Sequence, residues 1–184
     1  MYFEGNAKLI VLALLVGFFL ARSYMTRHYT RFTPRMLIKY VVLILLMSFY
    51  LRGSIDFALL AFPFALRVYV GIPLMIIGFG LFFWAHAHLG INWSPVIEKR
   101  FAKTRYLVTT GPYRYIRHPT YTASFIVLVG LFVFSANWVL AGIPFLILVV
   151  FYSIKIPREE RELVRNFGKK YSDYMKRTSR LMVV

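Results

Sequence analysis

The 184-residue sequence contains no cysteine, which excludes disulfides, thiolate nucleophiles and cysteine-held metal sites. Acidic residues are scarce: seven stand against 23 lysines and arginines, a formal net charge of +16. Charge of either sign is missing altogether from Thr122 to Ile154, a stretch of 33 residues. That run exceeds the roughly 20 apolar residues a helix needs to cross a bilayer. A dinucleotide-binding fingerprint is lacking too. Gly78-Phe79-Gly80 has neither a preceding strand nor a third glycine, and it lies in an apolar run where small residues serve helix packing. No internal repeat and no low-complexity linker interrupts the chain.

What is present is apolar and aromatic: 59% of the residues are hydrophobic, above the roughly 45 to 50% of a soluble domain. The composition predicts an integral membrane protein, a single domain over residues 1–184. The basic residues sort by loop. Five lie between Arg22 and Lys39, six between Lys99 and Arg117, and nine between Lys155 and Arg180. Under the positive-inside rule those stretches face the cytoplasm, so the charge reports topology and contact with membrane lipids, not nucleic acid binding. Oligomeric state leaves no mark on the sequence.

The apolar runs give an all-α membrane bundle of about five transmembrane helices. Leu9 to Ala21 and Met36 to Leu51 reach spanning length when their flanking cations snorkel. Val68 to Ala85 is long enough alone, and its Gly71, Gly78 and Gly80 let neighbours approach. Ile55 to Leu66, broken by Asp56 and Pro63, reads as an interfacial or re-entrant piece. The uncharged run turns at Ser135-Ala136-Asn137, giving a C-terminal helical hairpin of Tyr121 to Phe134 and Trp138 to Ile154, the second arm loosened near Gly142 and Pro144. From Pro157 a cytosolic amphipathic tail helix is expected to lie on the membrane. Pro157 suits a first turn, and Leu163, Phe167, Tyr171 and Tyr174 recur at helical spacing as its apolar face, with Gly168 weakening it slightly. This topology puts the amino terminus outside, with the active site and carboxy terminus in the cytoplasm.

Two segments concentrate polar chemistry. Gly111 to Tyr121 holds three tyrosines, two arginines, a histidine and two prolines directly before the uncharged run. Polar groups of defined shape are costly at a membrane threshold unless they bind something; interfacial tyrosines and membrane-edge arginines are the plainer account. Glu159 and Glu160 follow the run's far end, where a helix dipole alone would favour them. The hairpin returns the chain to its starting side, so Lys155 and Glu159 are expected near His118 and Tyr121. His86 and His88, two apart, point about 200 degrees from each other on a helix and suit interfacial positions better than a shared metal, and no metal is expected.

In order along the chain stand Leu89-Gly90 with Asn92-Trp93-Ser94, then Leu107-Val108-Thr109-Thr110-Gly111-Pro112-Tyr113, then Arg117-His118-Pro119-Thr120-Tyr121. After the apolar hairpin come Glu159-Glu160 and Phe167-Gly168-Lys169-Lys170-Tyr171-Ser172-Asp173-Tyr174. The set resembles the isoprenylcysteine carboxyl methyltransferase family, within the small integral membrane methyltransferases that include the phospholipid methyltransferases. The resemblance covers roughly Leu89 to Leu181. It implies a site for S-adenosyl-L-methionine built without a Rossmann fold from residues 89–184, with residues 1–88 supplying transmembrane helices. Carried over by position, the cofactor contacts are Glu98, Tyr106, Leu107, Val108, Tyr113, His118, Pro119, Thr120, Tyr121 and Glu159. Catalytic roles fall to Glu159, facing a cationic part of the cofactor, and to Lys155, which stands where the family usually has a substrate-binding arginine. Lysine keeps the charge but loses the planar two-point grip on a carboxylate. The implied reaction is methyl transfer to a lipid-like acceptor entering from the bilayer, foremost the carboxylate of a prenylated cysteine. The alternatives are a phospholipid amine N-methyltransferase, an NADPH-dependent membrane lipid or steroid reductase, and a non-enzymatic lipid-binding membrane protein.

Overall fold

The computed structural model describes residues 2–26, 60–92 and 106–181, all without a strand. Helix α1 is Tyr2–Thr26, α2 Phe64–Leu89, α3 Pro119–Ser135, α4 Trp138–Phe167 and α5 Lys169–Arg177. Of these, α2 and α4 are long and apolar enough to cross a membrane, while the apolar parts Ala7–Phe18 and Pro119–Ser135 are shorter. The expected spanning helix Met36–Leu51 and residues 55–59 of the Ile55–Leu66 piece fall outside the described residues, as does Glu98, while residues 64–66 of that piece belong to α2. The described residues group into two compact units, 1–73 with 130–143, and 74–129 with 144–184.

In the first unit, α1 buries Ala7, Val11 and Leu15, a four-residue repeat that lines one helical face. Helix α2 begins at Phe64, four residues before the expected Val68, because Pro63 supplies the extended entry (φ −55°, ψ 141°) and leaves no second break before the apolar run. Residues 67–71 form a π-helical turn. The hairpin turn forms where expected: Ala136 takes φ 48°, and the Asn137 side-chain oxygen accepts from the amides of Val139 at 2.9 Å and Leu140 at 3.0 Å. That cap satisfies donors that every helix start leaves open. The α3 end is closed by Arg67, whose Nε donates to the Phe134 carbonyl at 2.9 Å. A second π-helical turn, Trp138–Gly142, opens α4 and is the expected loosening of that arm.

In the second unit, α2 turns Met75, Gly78, Phe79, Phe82, Ala85, His86 and Leu89 inward. A Cβ on Gly78 would lie 2.9 Å from the Val127 amide nitrogen, so two backbones touch there and only glycine fits. Among the described residues, a Cβ on Gly80 would meet nothing within 4 Å.

Three expectations about the tail are corrected. Pro157 does not start a helix but sits inside α4. Its ring removes one ladder bond, yet the buried face Tyr152, Ile156, Glu159, Glu160 and Leu163 keeps helical spacing across it, and Ser153, whose carbonyl loses its donor, lies exposed. Gly168, instead of merely weakening a helix, takes φ 54° and divides α4 from α5. The face expected on the membrane is covered by protein: Leu163, Tyr171 and Tyr174 form a buried cluster against Leu107 and Phe167.

Candidate active site

Residues 106–121 reach the start of α3 through a tight turn. Gly111 has φ 59°, and a Cβ there would sit 2.5 Å from the His88 ring, so both conformation and space require glycine. Pro112 follows as the second residue of a short 3₁₀ turn, Gly111–Arg114. His118 then precedes Pro119, the first residue of α3, whose missing N–H is no loss at a helix start. The ring of His118 is thereby fixed just outside the helix, and it stacks on Tyr121 with centroids 5.4 Å apart and planes 7° apart.

Helix α4 brings the two glutamates to this ring. The Tyr121 hydroxyl donates to Glu159 Oε2 at 2.6 Å, and His118 Nδ1 lies 3.9 Å from the same oxygen. On the other side of the ring, Nε2 is 3.3 Å from Glu160 Oε1. Glu159 is 1% exposed and Glu160 6%, so both carboxylates depend on these partners. One turn before Glu159, the Lys155 ammonium lies over the Tyr121 ring at 5.1 Å and the Phe151 ring at 5.3 Å. Tyr121 also stacks on Tyr152 at 4.3 Å.

Glu160 anchors a second set of contacts. Arg117 Nε donates to it at 2.9 Å and Arg180 Nη2 at 2.7 Å. Arg117 Nη1 additionally donates to the carbonyls of Met175 and Thr178. The segment Thr178 to Leu181 runs alongside as a strap: Arg117 N donates to Ser179 O, His118 N to Arg180 O and Ser179 N to Tyr115 O. Thr122 Oγ1 donates to Leu181 O. The carbonyls of Ser179 and Arg180 thus satisfy the amides of Arg117 and His118 just before α3 begins.

Beyond the apolar part of α4, which ends at Ile154, the Glu160 carboxyl is subject to opposed effects. Burial pushes it up, but hydrogen bonds from His118, Arg180 and Arg117 outweigh that and hold it at about 2, against an ordinary 4.5. A depressed carboxyl contributes stability above its unfolded value and loses it as pH falls through its folded value. The thermal midpoint in detergent is therefore expected to hold above about pH 4.5 and drop toward pH 2, with a contribution on the order of 3 kcal/mol. Glu160→Gln should flatten that limb; an unchanged acid limb in the variant would contradict the assignment.

Next to the glutamates a cavity opens, lined by Leu89, Asn92, Tyr106, Leu107, Val108, Tyr113, Arg117, His118, Leu163, Phe167, Tyr171 and Tyr174. It gathers five of the expected contacts, Tyr106, Leu107, Val108, Tyr113 and His118. Tyr121 and Glu159 do not line it but meet His118 from the other direction, so this histidine joins the two parts. Pro119 is buried and Thr120 half-buried in the first turn of α3, where the Thr120 carbonyl accepts from Ser124. The cavity's walls are mainly aromatic and aliphatic, and one lining residue, Tyr171, has a buried hydroxyl without a hydrogen-bond partner among the described residues. A flat nucleoside beside a carboxylate-held cation fits this set of groups. Arg117, Glu160, Tyr171 and Tyr174 belong to the structure around the site although no site role falls to them from the sequence. Their signals were adjacency to His118 and Glu159, and the periodic tail face.

His86 is buried and stacks on Phe82 at 4.6 Å, while His88 Nδ1 lies 3.0 Å from the Trp84 carbonyl. Among the described residues no three histidines or acids gather in a way that could hold a metal.

A model of the phospholipid methyltransferase family matches residues 66–170. The chain belongs to the phospholipid methyltransferase family. Within reach of this family name, it is 36% identical over 93 residues to the protein-S-isoprenylcysteine O-methyltransferase of Schizosaccharomyces pombe, covering 50% of this chain and 39% of that protein. It is 41% identical over 76 residues to the nickel-cobalt-cadmium resistance protein NccN of Alcaligenes xylosoxydans xylosoxydans, covering 41% of this chain and 35% of the other. A solved structure of the eukaryotic intramembrane Ras methyltransferase, isoprenylcysteine carboxyl methyltransferase, superposes with a TM-score of 0.64 at 25% identity, over 83% of this chain and 53% of that one. This phospholipid methyltransferase family member thus spans between about a third and just over half the length of each of these relatives.

Proposed function

We propose that this protein is a multi-pass integral membrane methyltransferase that uses S-adenosyl-L-methionine to methylate a carboxylate on a lipid-like acceptor, foremost a prenylated cysteine. The observation that carries this reading is the buried Glu159 carboxylate, held by Tyr121 and set beside His118, which itself lines an aromatic cavity. Membership of the family and the names of two of its relatives support it. The amino terminus outside and the site on the cytoplasmic side complete the proposal, supported by the basic loops.

When bound, S-adenosylmethionine supplies a methyl group on a sulfonium, an electrophile that needs no metal or redox partner. Glu159 holds a cationic part of it, and the Tyr121 hydroxyl fixes which carboxylate oxygen is presented. Leu107, Val108 and Tyr113 hold the nucleoside in the cavity. Lys155 attracts the acceptor carboxylate toward the Tyr121 face. With a reference pKa near 3.5 that carboxylate arrives ionised, so no side chain must remove a proton. Alignment of the reacting atoms and exclusion of water are then what the protein contributes. The position of Lys155 disfavours an amine acceptor, which would approach as a cation beside a fixed ammonium.

S-adenosylhomocysteine is expected to stabilise the purified protein thermally while NADPH leaves it unchanged. Methyl transfer is expected to prenylcysteine analogues and not to phosphatidylethanolamine. Stabilisation by NADPH alone would overturn methyl transfer; transfer to the phospholipid alone would overturn the carboxylate acceptor.

A further inference from the structure

Tyr171 is 1% exposed and sits in the cavity wall, on the first turn of α5. Several other polar groups in that wall have partners. Tyr174 donates to the Tyr113 carbonyl at 2.6 Å, Asn92 to the Tyr106 carbonyl at 3.3 Å, and Arg117 and His118 engage Glu160. The Tyr171 hydroxyl, by contrast, is buried with no hydrogen-bond partner among the described residues. A phenol in that state has lost water and received nothing in exchange, a cost that phenylalanine at the same place would avoid.

We propose that the Tyr171 hydroxyl is a cofactor-binding group that donates a hydrogen bond to the nucleoside part of S-adenosylmethionine. This rests on the cofactor assignment above. The surroundings choose the nucleoside end. Tyr113, Phe167, Tyr174, Leu107 and Leu163 offer flat and apolar surfaces suited to a heteroaromatic base. The carboxylate suited to the cationic end, Glu159, lies outside the cavity on the far side of His118. A purine nitrogen or a ribose oxygen is an acceptor, matching the phenol as donor. Burial, the largest influence on this phenol, pushes its ionisation far above the ordinary tyrosine range, with the Glu160 charge adding to it, so the group stays protonated.

Tyr171→Phe removes only the oxygen. In detergent, the ligand-free thermal midpoint is expected to be unchanged or higher, since no existing bond is lost. Binding of S-adenosylhomocysteine by calorimetry should weaken about tenfold, and 5′-methylthioadenosine, which lacks the amino-acid end, should weaken by the same factor. On the unaltered protein, one of the S-adenosylhomocysteine analogues lacking a single acceptor, the 1-deaza, 3-deaza, 7-deaza, 2′-deoxy, 3′-deoxy or ring-carbocyclic form, should show the same loss. Full affinity of Tyr171→Phe for both ligands overturns the proposal, as does a loss confined to S-adenosylhomocysteine or full affinity of the unaltered protein for all of these analogues. Failure of the unaltered protein to bind S-adenosylhomocysteine would instead overturn the cofactor assignment itself, and this proposal with it.

Discussion

Glu159→Ala is expected to weaken S-adenosylhomocysteine binding roughly 100-fold or more, the range for truncating one partner of a buried charged pair. The residue is 1% exposed, and its Oε2 takes the Tyr121 hydroxyl at 2.6 Å. Alanine removes the charge and also the acceptor of that hydroxyl, so two effects are mixed. Glu159→Gln separates them: the amide oxygen still accepts from Tyr121 while the negative charge is gone. If the carboxylate faces a cation on the ligand, glutamine should lose most of what alanine loses. Calorimetric affinity for the glutamine variant within threefold of the unaltered protein would refute that role, leaving Glu159 as a support for Tyr121.

Glu160→Ala should cost about 3 to 5 kcal/mol of stability, the loss seen when one member of a buried ionic cluster is deleted. Arg117, with a side chain only 10% exposed, and His118, 5% exposed, would be left beside an empty space. Arg180→Ala removes a partner of the same carboxylate, yet its side chain is 53% exposed and returns to water, so a loss of about 1 kcal/mol or less is expected. Equilibrium unfolding in detergent compares the two. Equal losses for both variants would mean that Glu160 is held by surface charge and not by the buried pair.

The turn at Ser135-Ala136-Asn137 was legible because a small, uncharged break with an asparagine cap has one efficient use inside a long apolar run. The meeting of His118 with Glu159 followed from that turn, since a hairpin must bring its two ends together. Pro157 misled because proline favours a helix start, and the burial that carries α4 past it comes from other parts of the chain. The spacing of Leu163, Tyr171 and Tyr174 marked an apolar face but held no information on what covers it, so protein and membrane looked alike. Nothing near Arg180 signals its bond to a glutamate 20 residues earlier. Contacts of this kind arise only once the chain has folded back on itself.

The strap from Thr178 to Leu181 also imposes an order of events. Residues 115–122 complete their hydrogen bonding with carbonyls and an amide that the ribosome supplies about 60 positions later. Both arms of the hairpin are therefore synthesised before the wall around His118 can close. A nascent chain halted within α5 already holds Tyr121 and Glu159 but has the amides of Arg117 and His118 still open. The wall around His118 thus matures only after residues 178–181 have been added.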